Sequence, residues 1–214
     1  MDIICKKLTR KFNDLTISYD DITFESGKTY LLLGPSGCGK STLLNLIAGV
    51  IAPDEGSVIC GGRNMGELTQ KERDMFRVKE VGYIYQDFKV IPDMTVADNI
   101  EILRLEKIDV SGMDEFLKHF GIFDKKNTKV GNLSGGQKQR VGIVRALIKE
   151  PEIILADEPT GALNFEIGEQ VVRDLLSAAK GKVLIVVSHD ERLIPYFDSV
   201  MRINEISKCT VGEM

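Results

Sequence analysis

Gly34-Pro35-Ser36-Gly37-Cys38-Gly39-Lys40-Ser41 decides how the rest of this chain is read. The residues before it, Thr29-Tyr30-Leu31-Leu32-Leu33, are a short apolar run with the character of a strand. Residues 40–50 after it are apolar and unbroken by proline, which predicts a helix. A glycine-rich turn between strand and helix is a phosphate cradle. Gly34, Gly37 and Gly39 let the backbone turn tightly with its N–H groups inward, and the helix start adds roughly half a positive charge. Lys40 can reach the β and γ phosphates of a nucleotide, Ser41 can ligate magnesium, and Thr42 can bond a nearby phosphate.

Two further stretches complete the chemistry. Ile153-Ile154-Leu155-Ala156 is a fully apolar run ending in Asp157-Glu158, which sets two carboxylates beyond a buried strand. Asp157 can hold a magnesium ion directly or through water, and Glu158 can orient and polarise the attacking water as general base; its plain alternative is a solvated acid capping the next loop. Leu133-Ser134-Gly135-Gly136-Gln137 precedes the helical run 138–149 and has the form of an N-cap feeding a helix whose amides face an anion. That makes a second phosphate platform, formed by Ser134, Gly135, Gly136 and Gln137.

With Lys138-Gln139-Arg140 following it, this second motif resembles that of the ATP-binding cassette family, and the resemblance extends from Phe12 through His189. It implies an α/β fold: a P-loop NTPase, RecA-like core with an N-terminal antiparallel β subdomain and an inserted α-helical subdomain. Residues 1–86 and 150–214 would form the nucleotide-binding core and residues 87–149 the helical part, within one domain of 214 residues. By the same resemblance Gln86 senses the magnesium ion and the attacking water, His189 contacts the γ phosphate and Phe12 stacks on adenine. Each has a bland alternative: a loop glutamine, a capping or core imidazole, and a core aromatic. His119 sits on an apolar helix without a motif and reads as a capping or core imidazole. Pro35, Ser36 and Cys38 join the cradle by position, and Cys38 carries no assigned chemistry of its own. Asn164 stands where relatives usually carry aspartate, so that loop keeps hydrogen-bonding capacity and loses a charge.

The family arrangement further implies a homodimer closing on two ATP molecules with Mg2+, each nucleotide held between Lys40 of one copy and Ser134 of the other. Tyr85 to Ile100 and Asp157 to Leu163 look like the lipoprotein-release, macrolide-export and antimicrobial-peptide-resistance branch. There an integral membrane permease, a separate subunit, would dock near Phe88 to Met94, placing this chain in the cytoplasm, peripheral on the membrane's cytoplasmic face. The alternative is a regulatory ATPase of a cell-division or cell-envelope complex that transports nothing.

Composition agrees with these expectations. Hydrophobic residues at 43% and charged residues at 28% are ordinary for a globular domain with a sizeable core. Lysine and arginine total 28 against 32 acidic residues, a net charge of -4, which gives no general electrostatic reason to bind nucleic acid. Cys5, Cys38, Cys60 and Cys209 lack paired metal spacing, and Met1 to Leu8 lacks a charged-then-apolar leader, so reduced thiols in the cytoplasm are expected. No apolar stretch approaches the roughly 20 residues needed to span a bilayer. Strands are expected at 3–8, 15–19, 57–60, 81–85, 183–187, 200–203 and 206–210, and helices at 67–79, 95–103, 113–120, 135–149 and 166–179.

Overall fold

In the computed structural model, which describes residues 1–161, 163 and 165–211, two sheets pack with helices in layers. In chain order the elements are β1 (Ile3–Phe12), β2 (Leu15–Tyr19), β3 (Ile22–Phe24), β4 (Thr29–Leu33), α1 (Lys40–Ile47), β5 (Glu55–Cys60), β6 (Arg63–Asn64), α2 (Gln70–Glu80) and β7 (Val81–Ile84). Then come α3 (Val96–Glu101), α4 (Met113–His119), α5 (Gly135–Leu147), β8 (Ile153–Asp157), α6 (Phe165–Ala178), β9 (Val183–Ser188), β10 (Ser199–Arg202), α7 (Ile203–Ile206) and β11 (Ser207–Val211).

The parallel sheet has the order β10-β4-β9-β8-β7. Its strands are apolar on both faces because both are covered. Leu31 and Leu33 of β4, Ile154 and Ala156 of β8, and Leu184 and Val186 of β9 face a core completed by Ile100, Val141, Val144, Val172 and Leu175 from the helices. The alternating residues Leu32, Ile153, Leu155, Ile185 and Val187 face α1 through Leu43, Leu44 and Ile47, and beyond it the second sheet through Ile3, Ile17 and Val58. Full burial of each such side chain contributes about 1.5–3 kcal/mol, which makes this double layer the main source of stability.

The second sheet is antiparallel, in the order β11-β2-β1-β5-β6, with β3 also paired to β1. It is not purely N-terminal, since β11 pairs along β2 from Tyr19 to Leu15. The strand expected over 3–8 continues to Phe12, because Thr9 to Phe12 find partners in β2. The pairing of β1 with β5 slips between Lys6 and Thr9, and Lys7 takes φ 46 there. Gly56 sits against this bulge at φ +85, where a Cβ would stand 2.3 Å from the carbonyl oxygens of both Lys6 and Lys7. Only glycine fits that position.

Several helix ends differ from expectation, each for a local reason. The first helix stops at Ile47, before the left-handed Gly49 (φ 65). α2 begins at Gln70 because Thr69 caps it reciprocally with Glu72. Thr95 and Asp98 do the same for α3, which tightens into a 3-10 turn over Ile102–Glu106. Ile203 opens the short α7 instead of ending a strand. Between residues 87 and 149 the described elements are helical, apart from one isolated bridge between Thr95 and Lys129. Among the described residues no helix is long and apolar enough to cross a membrane.

Candidate active site

Ligands of open parallel sheets gather beyond the carboxyl ends of the strands, and here four adjacent strands end side by side. β4 delivers the glycine loop, β7 leads to Gln86, β8 delivers Asp157 and Glu158, and β9 delivers Ser188 and His189. A cleft of about 610 Å³ at this edge is lined by Phe12, Leu15, Ile17, Ser36, Gly37, Gly39, Lys40, Ser41, Thr42, Gln86, Asp157, Glu158, Gly161 and His189. The structure thus gathers most of the residues singled out from the sequence into one space. Gly34, Pro35 and Cys38 belong to the same loop without lining the cleft.

The loop is held by its neighbours. Lys40 is buried, and its ammonium donates to the carbonyls of Gly34 at 2.7 Å and Pro35 at 2.8 Å, which arches the loop around it. Gly39 takes φ 95, and the hydroxyl of Tyr19 donates to its carbonyl at 2.7 Å. A Cβ on Gly39 would stand 2.9 Å from that hydroxyl. Tyr19, Leu15 and Ile17 were not singled out from sequence as site residues; the signal there is their alternation with Thr16 and Ser18 ahead of the loop. Cys38 turns its thiol to the Pro35 carbonyl at 2.8 Å.

Asp157 and Glu158 are both nearly buried. Burial pushes the Asp157 carboxyl above the ordinary range, the Ser41 hydroxyl and Lys40 ammonium pull it back, and Glu158 adds to the rise. Its Oδ1 is buried without a hydrogen-bond partner. Together with the Ser41 hydroxyl and the Gln86 amide oxygen this is an all-oxygen donor set, which fits Mg2+. No group of three or more acidic, histidine or cysteine side chains able to hold a metal ion occurs among the described residues.

Glu158 has φ 46, left-handed for a residue with a side chain, and its N–H donates to the Val187 carbonyl at 3.0 Å. Its Oε1 meets His189 Nδ1 at 3.0 Å and its Oε2 accepts from the Ser188 hydroxyl at 3.3 Å. The acid is therefore no loose loop cap. Phe12 is 43% exposed and lines the cleft, with the Arg10 guanidinium 5.5 Å from its ring centroid, so it is not a core aromatic. His119 is no core imidazole either: it is largely exposed, 3.3 Å from Asp174.

Ser134 to Gln137 lie apart from this cleft. Ser134 caps α5, accepting the Gln137 N–H while the Gln137 side chain accepts the Ser134 N–H at 3.0 Å, and Ser134 and Gly135 are exposed. Asn164 lies outside the described residues.

Residues 18–161 match the family model described as ABC transporter. The chain belongs to the ABC transporter family. An uncharacterised ABC transporter ATP-binding protein of Methanocaldococcus jannaschii is 38% identical over 191 residues, covering 86% of this chain and 85% of the relative. One from Mycobacterium tuberculosis is 39% identical over 194 residues, covering 86% and 78%. A solved ATP-binding cassette, a dimer in a post-hydrolysis state bound to ADP and Pi, superposes with TM-score 0.83 at 32% identity over 94% of this chain and 93% of its own. A dimeric bacterial ABC transporter cassette gives TM-score 0.83 at 31% identity, covering 99% of each chain. The chain is an ATP-binding ATPase subunit of the ABC type with a P-loop NTPase fold.

Beside the nucleotide cleft of this ABC subunit lie two more. One, of about 610 Å³, is lined by Val50, Tyr83, Tyr85, Gln86, Lys89 and Asp157 among others; the next, of about 220 Å³, adds Arg77, Leu103, Glu106, Arg145 and Lys149. Tyr83 and Tyr85 stack at 4.0 Å. Of residues 88–94 only Lys89 lines this groove; Ile91 and Met94 are exposed. The tyrosine pair was missed from sequence, although its spacing of two places both rings on one face of an extended segment.

Proposed function

We propose that two copies of this chain close on two Mg2+-ATP, hydrolyse them at composite sites, and pass the resulting movement to a separate integral membrane subunit on the cytoplasmic face of the membrane. The carrying observation is the separation of two anion-binding features within one chain. Lys40 and its loop line the cleft with Glu158, whereas the Ser134 helix start is exposed elsewhere. A second copy would supply the missing half, and dimeric relatives support that reading.

In this mechanism the loop amides and Lys40 hold the β and γ phosphates, the ammonium exchanging loop carbonyls for phosphate oxygens. Ser41, Gln86 and Asp157 would hold Mg2+, which when bound neutralises charge on those oxygens. Glu158 accepts a proton from the attacking water, and His189 steadies the carboxylate from Nδ1 while its other nitrogen would contact the γ phosphate. Phe12 stacks on the base.

Gln86 and Asp157 line both the nucleotide cleft and the groove beneath the tyrosine pair. This shared wall supports docking of a cytoplasmic helix of the membrane subunit at the groove, near Phe88 to Met94, of which Lys89 lines it. Export-type coupling and a regulatory role without transport use the same groove.

Complementation between two inactive variants tests the composite site. Lys40→Ala and Ser134→Arg chains are each expected to be inactive alone. Mixed, they are expected to regain a fraction of wild-type turnover, since their heterodimer holds one intact pair. No recovery in a mixture shown to contain heterodimers rules the arrangement out.

A further inference from the structure

Ser188 is the last residue of β9 and is wholly buried. Its Oγ accepts the backbone N–H of Asp190 at 3.1 Å and lies 3.3 Å from Glu158 Oε2. A backbone amide can only donate, so the hydroxyl's lone pair serves Asp190 and its single proton is directed at the carboxylate. The other carboxylate oxygen, Oε1, meets His189. Two consecutive residues therefore grip the two oxygens separately, while the Glu158 N–H is tied to Val187 of the same strand end. The backbone of Glu158 is in a sparsely populated conformation, which persists only where surroundings over-determine it.

We propose that Ser188 is a positioning residue for ATP hydrolysis: its hydroxyl holds Oε2 of Glu158 in a buried hydrogen bond and, with His189 on Oε1, fixes the orientation in which the carboxylate meets the attacking water. This rests on the reading of Glu158 as the general base. A glutamate side chain has three rotatable bonds, and misplacing a reacting group by about 1 Å can cost up to about 10²-fold in rate. Ser188 acts before chemistry, by removing carboxylate orientations that cannot take the proton.

The test is steady-state hydrolysis of Mg2+-ATP by the full chain, with equilibrium binding of a fluorescent ATP analogue measured beside it. Ser188→Ala is expected to lower kcat by about 10–100-fold while KM and analogue affinity stay within about twofold. Ser188→Thr restores a hydroxyl and should recover most of kcat. Ser188→Cys, close in size to serine with a weaker donor, should fall between serine and alanine. In a Glu158→Gln background Ser188→Ala should add no further loss, because the carboxylate it orients is gone. Full kcat in Ser188→Ala, or a parallel fall of kcat and affinity that neither Thr nor Cys repairs, overturns the proposal. The two readings separate cleanly. An inactive Glu158→Gln beside an unimpaired Ser188→Ala removes Ser188 alone, whereas normal turnover in Glu158→Gln removes the base assignment and this proposal with it.

Discussion

Glu158 Oε1 and His189 Nδ1 lie 3.0 Å apart at the ends of neighbouring parallel strands, so the candidate base and the candidate γ-phosphate contact form one unit. The carboxylate sits behind the imidazole: Glu158 is nearly buried, while the side chain of His189 is 69% exposed. Removing the charge of Glu158 should therefore leave nucleotide capture intact and stop the chemistry.

Glu158→Gln is expected to bind ATP as wild type does, to hydrolyse it at least about 10²-fold more slowly, and to accumulate dimers in ATP. Turnover assays with size-exclusion chromatography check both halves. Unchanged turnover would falsify the base assignment.

Phe12 presents its ring to the cleft with Arg10 over it. Phe12→Ala should raise KM for ATP by up to roughly tenfold, since an aromatic stacking partner contributes about 0.5–1.5 kcal/mol beyond its buried area. Phe12→Tyr keeps the ring and should stay near wild type. An unaltered KM in the alanine variant, measured on folded protein, would show that the ring does not touch the base.

Most of this site was legible in the sequence because phosphate chemistry uses contiguous residues. The loop from Gly34 to Ser41, Asp157-Glu158 and Ser134 to Gln137 each sit at an element boundary that hydrophobic runs also mark. The apolar strands were legible for the same reason: double burial leaves no polar face. Less legible were contacts joining distant residues. Nothing near Tyr19 announces a bond to Gly39, and nothing near Ser188 announces one to a glutamate thirty positions earlier. β3, three residues long, alternates Ile22, Thr23 and Phe24 over too short a run to stand out, and β6, two long, has no pattern; both depend on pairing, with β1 and β5.

Lys149 gives a pH signature. Its ammonium donates to the Arg77 and Val78 carbonyls in the last turn of α2, and burial, with Arg145 beside it, pushes it down to about 8. The unfolded chain keeps that proton to near 10.5, so between pH 8 and 10.5 the unfolded state binds more protons. Stability contributed by this residue must then rise with pH across that window. Urea denaturation of wild type and Lys149→Met should show a difference that is flat below pH 8 and moves in favour of wild type above it. A difference independent of pH throughout would refute the burial argument.

Gly56→Ala should destabilise the chain by at least about 2 kcal/mol, because the added carbon meets two carbonyl oxygens at a left-handed position. Thermal melting checks it, and a Tm equal to wild type would mean that the bulge at Lys7 yields freely.

The partition formed by Gln86 and Asp157 has one more implication. Because Gln86 and Asp157 line both the cleft with the glycine loop and the tyrosine-lined groove, the coupling proposed above would need no lever arm. On that reading an occupant of the groove would sense the nucleotide through the thickness of a single residue, and a compound wedged there would stall the engine without competing for its fuel.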